Sequence, residues 1–480
     1  MNYRMVIHTV GQVVLLEAGL LILPLLVSLY YGDTCAAAYV QTIAVAAMVG
    51  SLMTFAVRPK NHNVFAKEGF SIVSIGWLML SAIGALPFVF SGDIPSYVDA
   101  FFETVSGFTT TGASILTDVE AMQRGNLFWR SFTHWVGGMG VLVLVTIIAE
   151  KLPNRSMNIL KAEMPGPIVG KLVPKTKDTS RILYLIYFAM TVLVVVLLLL
   201  GGMPLFDSIL HAFGTAGTGG FGIKADSIAG YSPYLQWVIT LGMLAFGVNF
   251  NIYFLLLLRR FGEALRSTEL WTYLGIVSAS VLAITVNIAS MYASIGESLR
   301  HAAFQVSSII TTTGYATTDF DLWPEFSKAI LLLLMFMGAC AGSTGGGLKV
   351  SRVVILGQMI WAEIRRMVHP RAVSVVRYEG QVVDKETQTG TATYFALYCL
   401  CMVVTFLLVS LEPFSMETNL SATVACFNNI GPGFDVVGPT GSFAQYSDFS
   451  KIVLSFAMLL GRLEVFPLLL TFIPSAWHRR

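Results

Sequence analysis

Apolar runs about as long as a bilayer is thick alternate along this chain with short polar stretches. A helix of about 20 apolar residues crosses the roughly 30 Å hydrocarbon core of a membrane. The alternation predicts ten membrane-spanning helices, the eighth of them interrupted by glycines, at 10–31, 37–57, 69–90, 130–150, 182–202, 235–258, 271–292, 327–362, 391–411 and 450–473. We therefore expect an all-α integral membrane protein.

Four of the polar stretches end in glycine and lie between two predicted spans. We call them tracts 1 to 4, at 108–112, 216–220, 310–314 and 427–431. An apolar segment of about ten residues precedes each tract, and as a helix it would be about 15 Å long, half the membrane. Because a repeated pattern indicates a repeated structure, we expect four tandem span–pore helix–span modules around a central pore, with two extra N-terminal transmembrane helices. The predicted divisions are 1–60 for the two-helix addition and 61–165, 166–265, 266–375 and 376–480 for the modules.

The tracts have the composition of a cation filter. Polar backbone at membrane depth must be buried in protein or line an aqueous cavity, and a ring of carbonyl oxygens can replace the hydration shell of potassium. Glycine permits the positive φ that inward-pointing carbonyls require. One such tract alone would indicate a polar turn or a close helix contact, but four copies favour a filter. The predicted filter residues are Thr110, Thr111, Gly112, Thr218, Gly219, Gly220, Thr312, Thr313, Gly314, Asn429, Ile430 and Gly431.

A glycine-rich run in the eighth span is the first of two features that predict a gate. Residues 338–347 include five glycines, and each destabilises a helix by roughly 1 kcal/mol relative to alanine. A flexible plug below the filter would have this composition. The alternative is close packing through Gly338, Gly342 and Gly346. The predicted gating residues in this run are Gly342, Gly345, Gly346 and Gly347.

Arg462, near the middle of the last predicted span, is the second feature. A mid-bilayer arginine costs at least about 2.5 kcal/mol on insertion scales and is a candidate for function. Facing the pore, Arg462 would repel cations until it moved. The alternative is a structural ion pair, but Glu464 lies two positions on and therefore on another helix face, so a pair would need a different partner.

Composition and charge agree with a membrane protein. Hydrophobic residues make up 55% and charged residues 12% of the chain, about half the charged share of soluble domains. Basic clusters at 58–67, 151–181, 259–266, 365–385 and 479–480 alternate with acidic stretches, which by the positive-inside rule places both termini in the cytoplasm. Arg124 and Arg130 lie on the acidic side as exceptions. The net charge of +2 says little about partners. We expect membrane lipid as the surrounding and no nucleic-acid partner.

No enzyme site is predicted. The glycines of 217–222 match the spacing of a dinucleotide-binding fingerprint, but that motif requires a preceding strand. The seven histidines show no metal-binding spacing, and His134 lies beside Trp135 at the start of a span, which is typical of a membrane interface. We therefore expect no cofactor in this chain.

Several segments carry a resemblance to a known family. They are 162–167 (AEMPGP), 338–347, 369–373 (HPRAV), 428–433 (NNIGPG) and 461–464 (GRLE). Together with the tracts they resemble the TrkH/KtrB superfamily of Trk-type potassium uptake proteins, over essentially the whole chain. The two extra N-terminal spans are typical of the TrkH and TrkG branch.

The resemblance implies potassium as the substrate, the bacterial inner membrane as the location, and four filter glycines, Gly112, Gly220, Gly314 and Gly431. It also implies a gating loop at 338–347 and a gating arginine at Arg462. Family members are homodimers that assemble with a cytosolic nucleotide-binding subunit of TrkA type. Because tract 2 has two adjacent glycines, the choice between Gly219 and Gly220 stays open.

Two transport mechanisms remain after these observations. The first is gated potassium entry driven by the membrane potential, which is worth about 2.3 kcal/mol per charge and 100 mV. The second is a proton- or sodium-coupled symporter, a class that often has inverted repeats and ion sites at the midplane. The four repeats here have one orientation, which favours the first mechanism. A membrane-embedded enzyme would need a polar catalytic cluster, and the sequence shows none.

Overall fold

The computed structural model describes residues 2–57, 59, 66–151, 176–371 and 374–477, and most of these residues are helical. The helices are α1 Tyr3–Leu20, α2 Ile22–Tyr31, α3 Ala36–Ser51, α4 Ala66–Gly84, α5 Leu86–Ser91, α6 Tyr97–Phe108, α7 Arg124–Lys151, α8 Thr176–Leu200, α9 Leu205–Gly217, α10 Pro233–Phe246, α11 Phe250–Leu257, α12 Phe261–Ala264, α13 Thr268–Asn287, α14 Ile295–Ile310, α15 Glu325–Met337, α16 Val350–Val368, α17 Lys385–Val409, α18 Met416–Phe427, α19 Asp448–Arg462, α20 Phe466–Phe472 and α21 Pro474–Trp477. A hairpin of two short strands, β1 Arg377–Tyr378 and β2 Gln381–Val382, follows α16. Single turns of 3-10 or π-helix lie at Leu52–Ala56, Ala289–Met291, Phe320–Leu322, Asp435–Val437 and Phe443–Gln445.

The length and apolar character of these helices confirm the prediction of an all-α membrane protein. Within the described residues, six helices are long and apolar enough to cross a bilayer, and the bent pair α10–α11 is a seventh candidate. Large apolar side chains on these helices face outward, such as Leu29 at 62% and Leu200 at 74% exposure. Exposed leucines in this number would be unfavourable in water and are the expected surface toward lipid.

Two predicted spans besides the eighth are broken, so the prediction of single unbroken helices there was wrong. The sixth span consists of α10 and α11, which meet at 89°. The tenth consists of α19 and α20, which are separated at Glu464 and Val465, both with positive φ. A β-branched residue rarely adopts that conformation, and Val465 is fully buried. The packing around Val465 therefore stabilises a break that local preference opposes.

Four short helices occupy the positions predicted for the pore helices. They are α6, α9, α14 and α18, with 12, 13, 16 and 12 residues, which corresponds to roughly 18–24 Å. In three of them a serine side chain accepts a hydrogen bond from a first-turn N–H and so caps the N-terminus. Each of the four helices leads into one of the tracts at its C-terminal end.

The modules pack in a cycle. The helix that follows each tract contacts the pore helix of the next module: α7 contacts α9, α10 contacts α14, and α15 contacts α18. The cycle closes because α19 contacts α6. The largest cluster of buried apolar side chains crosses this closing contact, joining Phe102 and Phe108 of α6 to Leu454 and Met458 of α19.

The two N-terminal spans lie outside this cycle. Helix α1 contacts α3 and α4, and α2 contacts α7. The predicted boundaries of the addition and the four modules stay predictions. The resembling segment 162–167 and residues 372–373 of the segment 369–373 lie outside the described residues.

Candidate ion pore

The four tract glycines meet in a closed ring. Each glycine lies against the carbonyl oxygen of the residue that precedes the glycine of the next module. The pairs are Gly112 with Gly219, Gly220 with Thr313, Gly314 with Ile430, and Gly431 with Thr111. A Cβ atom on Gly431 would lie 2.8 Å from the oxygen of Thr111, and the other three Cβ atoms would be closer still to theirs. Only glycine permits these approaches, because real Cβ atoms essentially never come within 3.0 Å of another heavy atom.

All four tracts have the same backbone conformation. The final glycine has positive φ, between 74° and 100°, and the residue two positions earlier also has positive φ, between 55° and 58°. The residue between them donates its N–H to a carbonyl five positions earlier, at 2.8 Å in every tract. In tract 2 the residues with positive φ are Thr218 and Gly220. Gly220, and not Gly219, is therefore the structural equivalent of the other three glycines.

The C-terminal ends of the pore helices meet at this ring. The last carbonyls of a helix have no intrahelical partners and together carry a partial negative charge of about half an electron. Four helix ends directed at one place make that place favourable for a cation. The residues of tracts 1 and 3 from the first threonine to the third are fully buried, so water screens this field poorly.

The side chains of the tracts differ although the backbones agree. Tracts 1 and 3 each contain a hydroxyl pair, Thr109 with Thr111 at 2.7 Å and Thr311 with Thr313 at 2.8 Å. In tract 4 an asparagine replaces the first threonine, and its Oδ1 accepts a hydrogen bond from the Tyr398 hydroxyl at 2.7 Å. Tract 2 has glycine at both positions of the pair. Its support must therefore come from another part of the chain.

The glycine-rich run lies directly against the filter. Between α15 and α16 the chain is non-helical, and the Gly346 N–H donates to Oγ1 of Thr312 at 2.6 Å. A Cβ atom on Gly346 would lie 2.6 Å from the carbonyl oxygen of Asn428 in tract 4. Gly338 also lies against the carbonyl of Gly346 within the loop. Gly338 and Gly346 therefore pack closely beside tracts 3 and 4, whereas Gly342 lies against Asn249.

Neighbouring spans hold this loop in place. The Cys340 N–H donates to the Gly247 carbonyl at 3.0 Å, and the Phe250 N–H donates to the Gly342 carbonyl at 3.1 Å. These two bonds use the gap between α10 and α11, so the break in the sixth span is where the loop attaches. The Ala341 N–H donates to a carboxylate oxygen of Glu269 at 2.7 Å.

Arg462 binds the loop rather than a carboxylate. Its side chain is buried, and its Nη1 donates to the carbonyl of Thr344 at 2.8 Å. Its Nη2 donates to the carbonyl of Gly137 in α7 at 3.0 Å. Glu464 pairs with Arg352 at 2.8 Å instead. Arg462 therefore connects the loop to a helix of the first module across the pore.

A buried ion pair beside the residues that follow tracts 1 and 2 includes Arg130, one of the two exceptions to the charge pattern. Arg130 donates through Nε to Glu103 at 2.6 Å, and both side chains are almost fully buried. Arg130 also donates to the carbonyl of Gly222, just after tract 2, at 2.8 Å. Glu103 accepts a further bond from the Ile115 N–H at 2.9 Å, just after tract 1. The pair thus connects the segments that follow tracts 1 and 2. Arg130 has its counter-ion inside the protein, so its position is not governed by the positive-inside rule.

The prediction of an interfacial position for His134 was wrong. Its side chain is fully buried and lies against tract 2, one helical turn after Arg130. The sequence signal was the pair of arginine and histidine at i and i+4, which places both on one face of α7. The adjacent Trp135 drew attention to the membrane interface instead.

The comparisons with known proteins agree on a family. A family model described as TrkH, a cation transport protein, matches residues 36–275 and 265–479. The chain belongs to the TrkH family. Among curated TrkH-family relatives, the Trk system potassium uptake protein TrkH of Salmonella typhimurium is 37% identical, and that of Escherichia coli K12 is 36% identical, each over the full length of both chains. TrkG of Escherichia coli K12 is 32% identical over 99% of both chains.

A solved structure of the TrkH family has the same fold. The crystal structure of the potassium transporter TrkH from Vibrio parahaemolyticus superimposes with a TM-score of 0.90 at 32% identity, covering both chains completely. The family resemblance and the multi-pass all-α membrane fold are thereby confirmed. The TrkH-family relatives carry the names of transporters, not of enzymes. The roles of the filter and gating residues stay predictions.

Proposed function

We propose that this chain takes up potassium across the bacterial inner membrane, through a filter formed by the four tracts. The closed ring of tract glycines and neighbouring carbonyls is the observation that carries this proposal. Four equivalent backbones supply carbonyl oxygens around one axis, as a dehydrated potassium ion requires. The printed names of the relatives, Trk system potassium uptake proteins, support the same cation.

In this proposal the loop 338–347 is the gate and Arg462 holds it closed. The contact between Gly346 and Thr312 supports a loop that obstructs the path at the filter. The two backbone carbonyls bound by Arg462 belong to the loop and to the opposite side of the pore. Movement of α19 or α7 would break one of these bonds and release the loop.

We further infer a homodimer that assembles with a cytosolic nucleotide-binding subunit of TrkA type, with both termini in the cytoplasm. The support is the resemblance to Trk systems and the distribution of basic clusters. Each potassium ion gains about 2.3 kcal/mol per 100 mV on entry. That is enough for more than tenfold accumulation without a second coupled ion.

A proton-coupled symporter is the second candidate, and one observation favours it. Glu17 of α1 is fully buried at membrane depth, and neither carboxylate oxygen has a hydrogen-bond partner among the described residues. It lies beside Gly84, which is next to Phe108 and Thr104 of the first pore helix. An unpaired intramembrane carboxyl is a candidate proton site.

Ion flux into liposomes that contain only this purified chain distinguishes the two candidates. Gradients of potassium, rubidium or sodium are imposed at a set voltage without a proton gradient. Potassium and rubidium flux that follows the voltage is the expected result. Flux that appears only with a proton or sodium gradient would establish the symporter, and the absence of any potassium flux under either condition would refute both.

A further inference from the structure

Tract 2 keeps the same backbone as tracts 1 and 3 without their hydroxyl pair. The positions of Thr109 and Thr111 in tract 1 correspond to Gly217 and Gly219 in tract 2. Glycine is the most flexible residue, and two of them without side-chain contacts would lose much conformational entropy on becoming ordered. The tract nevertheless has the φ pattern and the 2.8 Å N–H···O bond of the other three. Some other group must stabilise it.

His134 occupies the volume that side chains of tract 2 would fill. A Cβ atom on Gly219 would lie 2.6 Å from Cδ2 of the His134 ring and closer still to two other ring atoms. A Cβ atom on Gly217 would lie 2.6 Å from the backbone carbonyl carbon of the same histidine. Gly219 and the imidazole are therefore complementary in shape, whereas Gly217 is required by the α7 backbone at residue 134.

The imidazole also connects tract 1 to tract 2 through hydrogen bonds. Its Nδ1 lies 2.8 Å from the carbonyl oxygen of Gly107, in the last turn of the first pore helix. Its Nε2 accepts the N–H of Phe221, the residue after the filter glycine of tract 2, at 3.3 Å. A carbonyl can only accept and an amide N–H can only donate. The ring is therefore neutral with its proton on Nδ1, and both nitrogens are used.

Arg130 completes the support from the same face of α7. Its guanidinium lies 3.6 Å from the centre of the Phe221 ring, and the His134 ring lies 4.1 Å from it. The phenyl ring is thus held between two side chains one helical turn apart. Its position fixes the backbone directly after Gly220.

We propose that His134 is a positioning residue of the ion filter, which replaces the hydroxyl pair of tracts 1 and 3 and fixes the carbonyls of tract 2. This inference rests on the proposed function, since it assumes that the four tracts form the filter. It assigns to a side chain of α7 the support that tracts 1 and 3 obtain from their own hydroxyl pairs.

The test compares His134→Gln, His134→Asn and His134→Ala by the ratio of potassium to sodium flux in liposomes. The glutamine carbonyl reaches the position of Nε2 and can accept the Phe221 N–H, so the ratio should stay within about twofold of wild type. Asparagine reaches only Gly107, and a lost buried hydrogen bond of about 1–1.5 kcal/mol corresponds to a roughly tenfold lower ratio. Alanine should lower it at least as much. His301→Asn is the matched control, because His301 bonds Thr317 outside the tracts.

A second comparison uses the complementary shape of His134 and Gly219. Gly219→Ala alone should prevent selective flux, because its Cβ collides with the imidazole, whereas His134→Ala with Gly219→Ala should be at least as selective as His134→Ala alone. Equal ratios in wild type, His134→Asn and His134→Ala would overturn the inference, as would a Gly219→Ala effect that is the same with and without the histidine. If wild type itself does not select potassium, the proposed function fails instead, so the two failures are distinguishable. Should His134→Ala not fold, as judged by size-exclusion chromatography, the glutamine and asparagine variants decide.

Discussion

The four tracts repeat one arrangement, whereas the helices that follow them differ in every module. At the filter, all four tracts share their φ pattern and their backbone hydrogen bond. The helix that follows the tract is continuous in the first module and bent by 89° in the second. It is interrupted by the glycine-rich loop in the third module and broken at Glu464–Val465 in the fourth.

The difference reflects what the tracts and the segments that follow them must each do in the proposed pore. Each filter glycine contacts the next tract, so a change in one tract alters its neighbours, and only four equivalent backbones close the ring. An obstruction needs a single segment from one module. The second module holds that segment through Gly247 and Phe250, and the fourth module holds it through Arg462.

The largest effect is expected from breaking the equivalence of the tracts. Gly220→Ala would place a side chain at φ +74° and against the carbonyl of Thr313. Left-handed backbone and overpacking together cost about 3 kcal/mol, so we expect roughly 100-fold lower potassium flux in liposomes. Gly275→Ala on α13, where a Cβ meets nothing within 4 Å, should leave the flux unchanged. Normal flux in Gly220→Ala would mean that tract 2 is not part of the path.

A large effect of opposite sign is expected from the segments that follow the tracts. Arg462→Ala removes two hydrogen bonds to backbone carbonyls, and bonds from charged groups contribute about 1.5–3 kcal/mol each. Rubidium flux through the isolated chain should rise about tenfold, because the loop is released. Arg260→Ala, from an exposed pair with Glu263, is the control. A flux equal to wild type would leave Arg462 with a structural role alone.

A smaller rise in flux is expected when the loop itself is pushed away from the filter. Gly346→Ala puts a Cβ atom 2.6 Å from the Asn428 carbonyl oxygen, and the loop must withdraw by a few tenths of an ångström. We expect about threefold higher rubidium flux, measured as above. Gly357→Ala on α16 has open space around its Cβ and should behave as wild type. A lower flux in Gly346→Ala would indicate that the loop assists conduction rather than obstructing it.

The smallest expected effect concerns stability at the loops that follow tracts 3 and 4, where Asp321 accepts the Asp435 N–H. Burial raises the pKa of the Asp321 carboxyl from 3.8 to about 6, and the charges of Asp319 and Glu417 act in the same direction, whereas Lys328 and the Asp435 N–H oppose them. The folded protein therefore binds more protons than the unfolded chain between about pH 4 and 6, and stability falls as pH rises through that window.

Asp321→Asn should remove this dependence. We expect a melting temperature about 1 °C above wild type at pH 7.5 and equal to it near pH 4, with the small size reflecting solvent screening of a half-buried carboxyl. Thermal stability in detergent, followed by size-exclusion chromatography, provides the measurement. Glu363→Gln, from an exposed pair with Arg366, should show no such difference. A wild-type minus variant difference that does not change with pH would contradict the raised pKa.

The repeated elements of this chain could be predicted from the sequence and the individual contacts could not. Glycine at Gly112 and Gly314, at equal distances from a half-membrane apolar segment, indicated the tracts without any structure. The equivalence of Gly220 rather than Gly219 required φ values, because two adjacent glycines are alike in composition. The break at Val465 could not be predicted, because valine prefers extended backbone. Its positive φ is stabilised by the packing around its buried side chain.

The roles of Arg130, His134 and Arg462 show a further limit. Each is a polar residue in an apolar helix, and that much marks it as a candidate. The partners of Arg130 and His134, Glu103 and Gly107, each lie 27 positions away in the chain. Thr344, a partner of Arg462, lies 118 positions away. No local pattern encodes such distances, so the sequence pattern favoured a membrane interface for His134 and indicated no partner for Arg462.

By itself the sequence determined the membrane-spanning class, the four tracts and the candidate gate, because hydrophobic length, glycine and buried charge act locally and repeat with a recognisable period. Only the tertiary structure decided that the tracts close into a ring, that the glycine-rich loop touches Thr312, and that an imidazole supports tract 2. Those features depend on which surfaces meet when α19 packs against α6 and α7 against α9. Packing of that kind is set by the shapes of distant side chains together, and not by the pattern of any one segment.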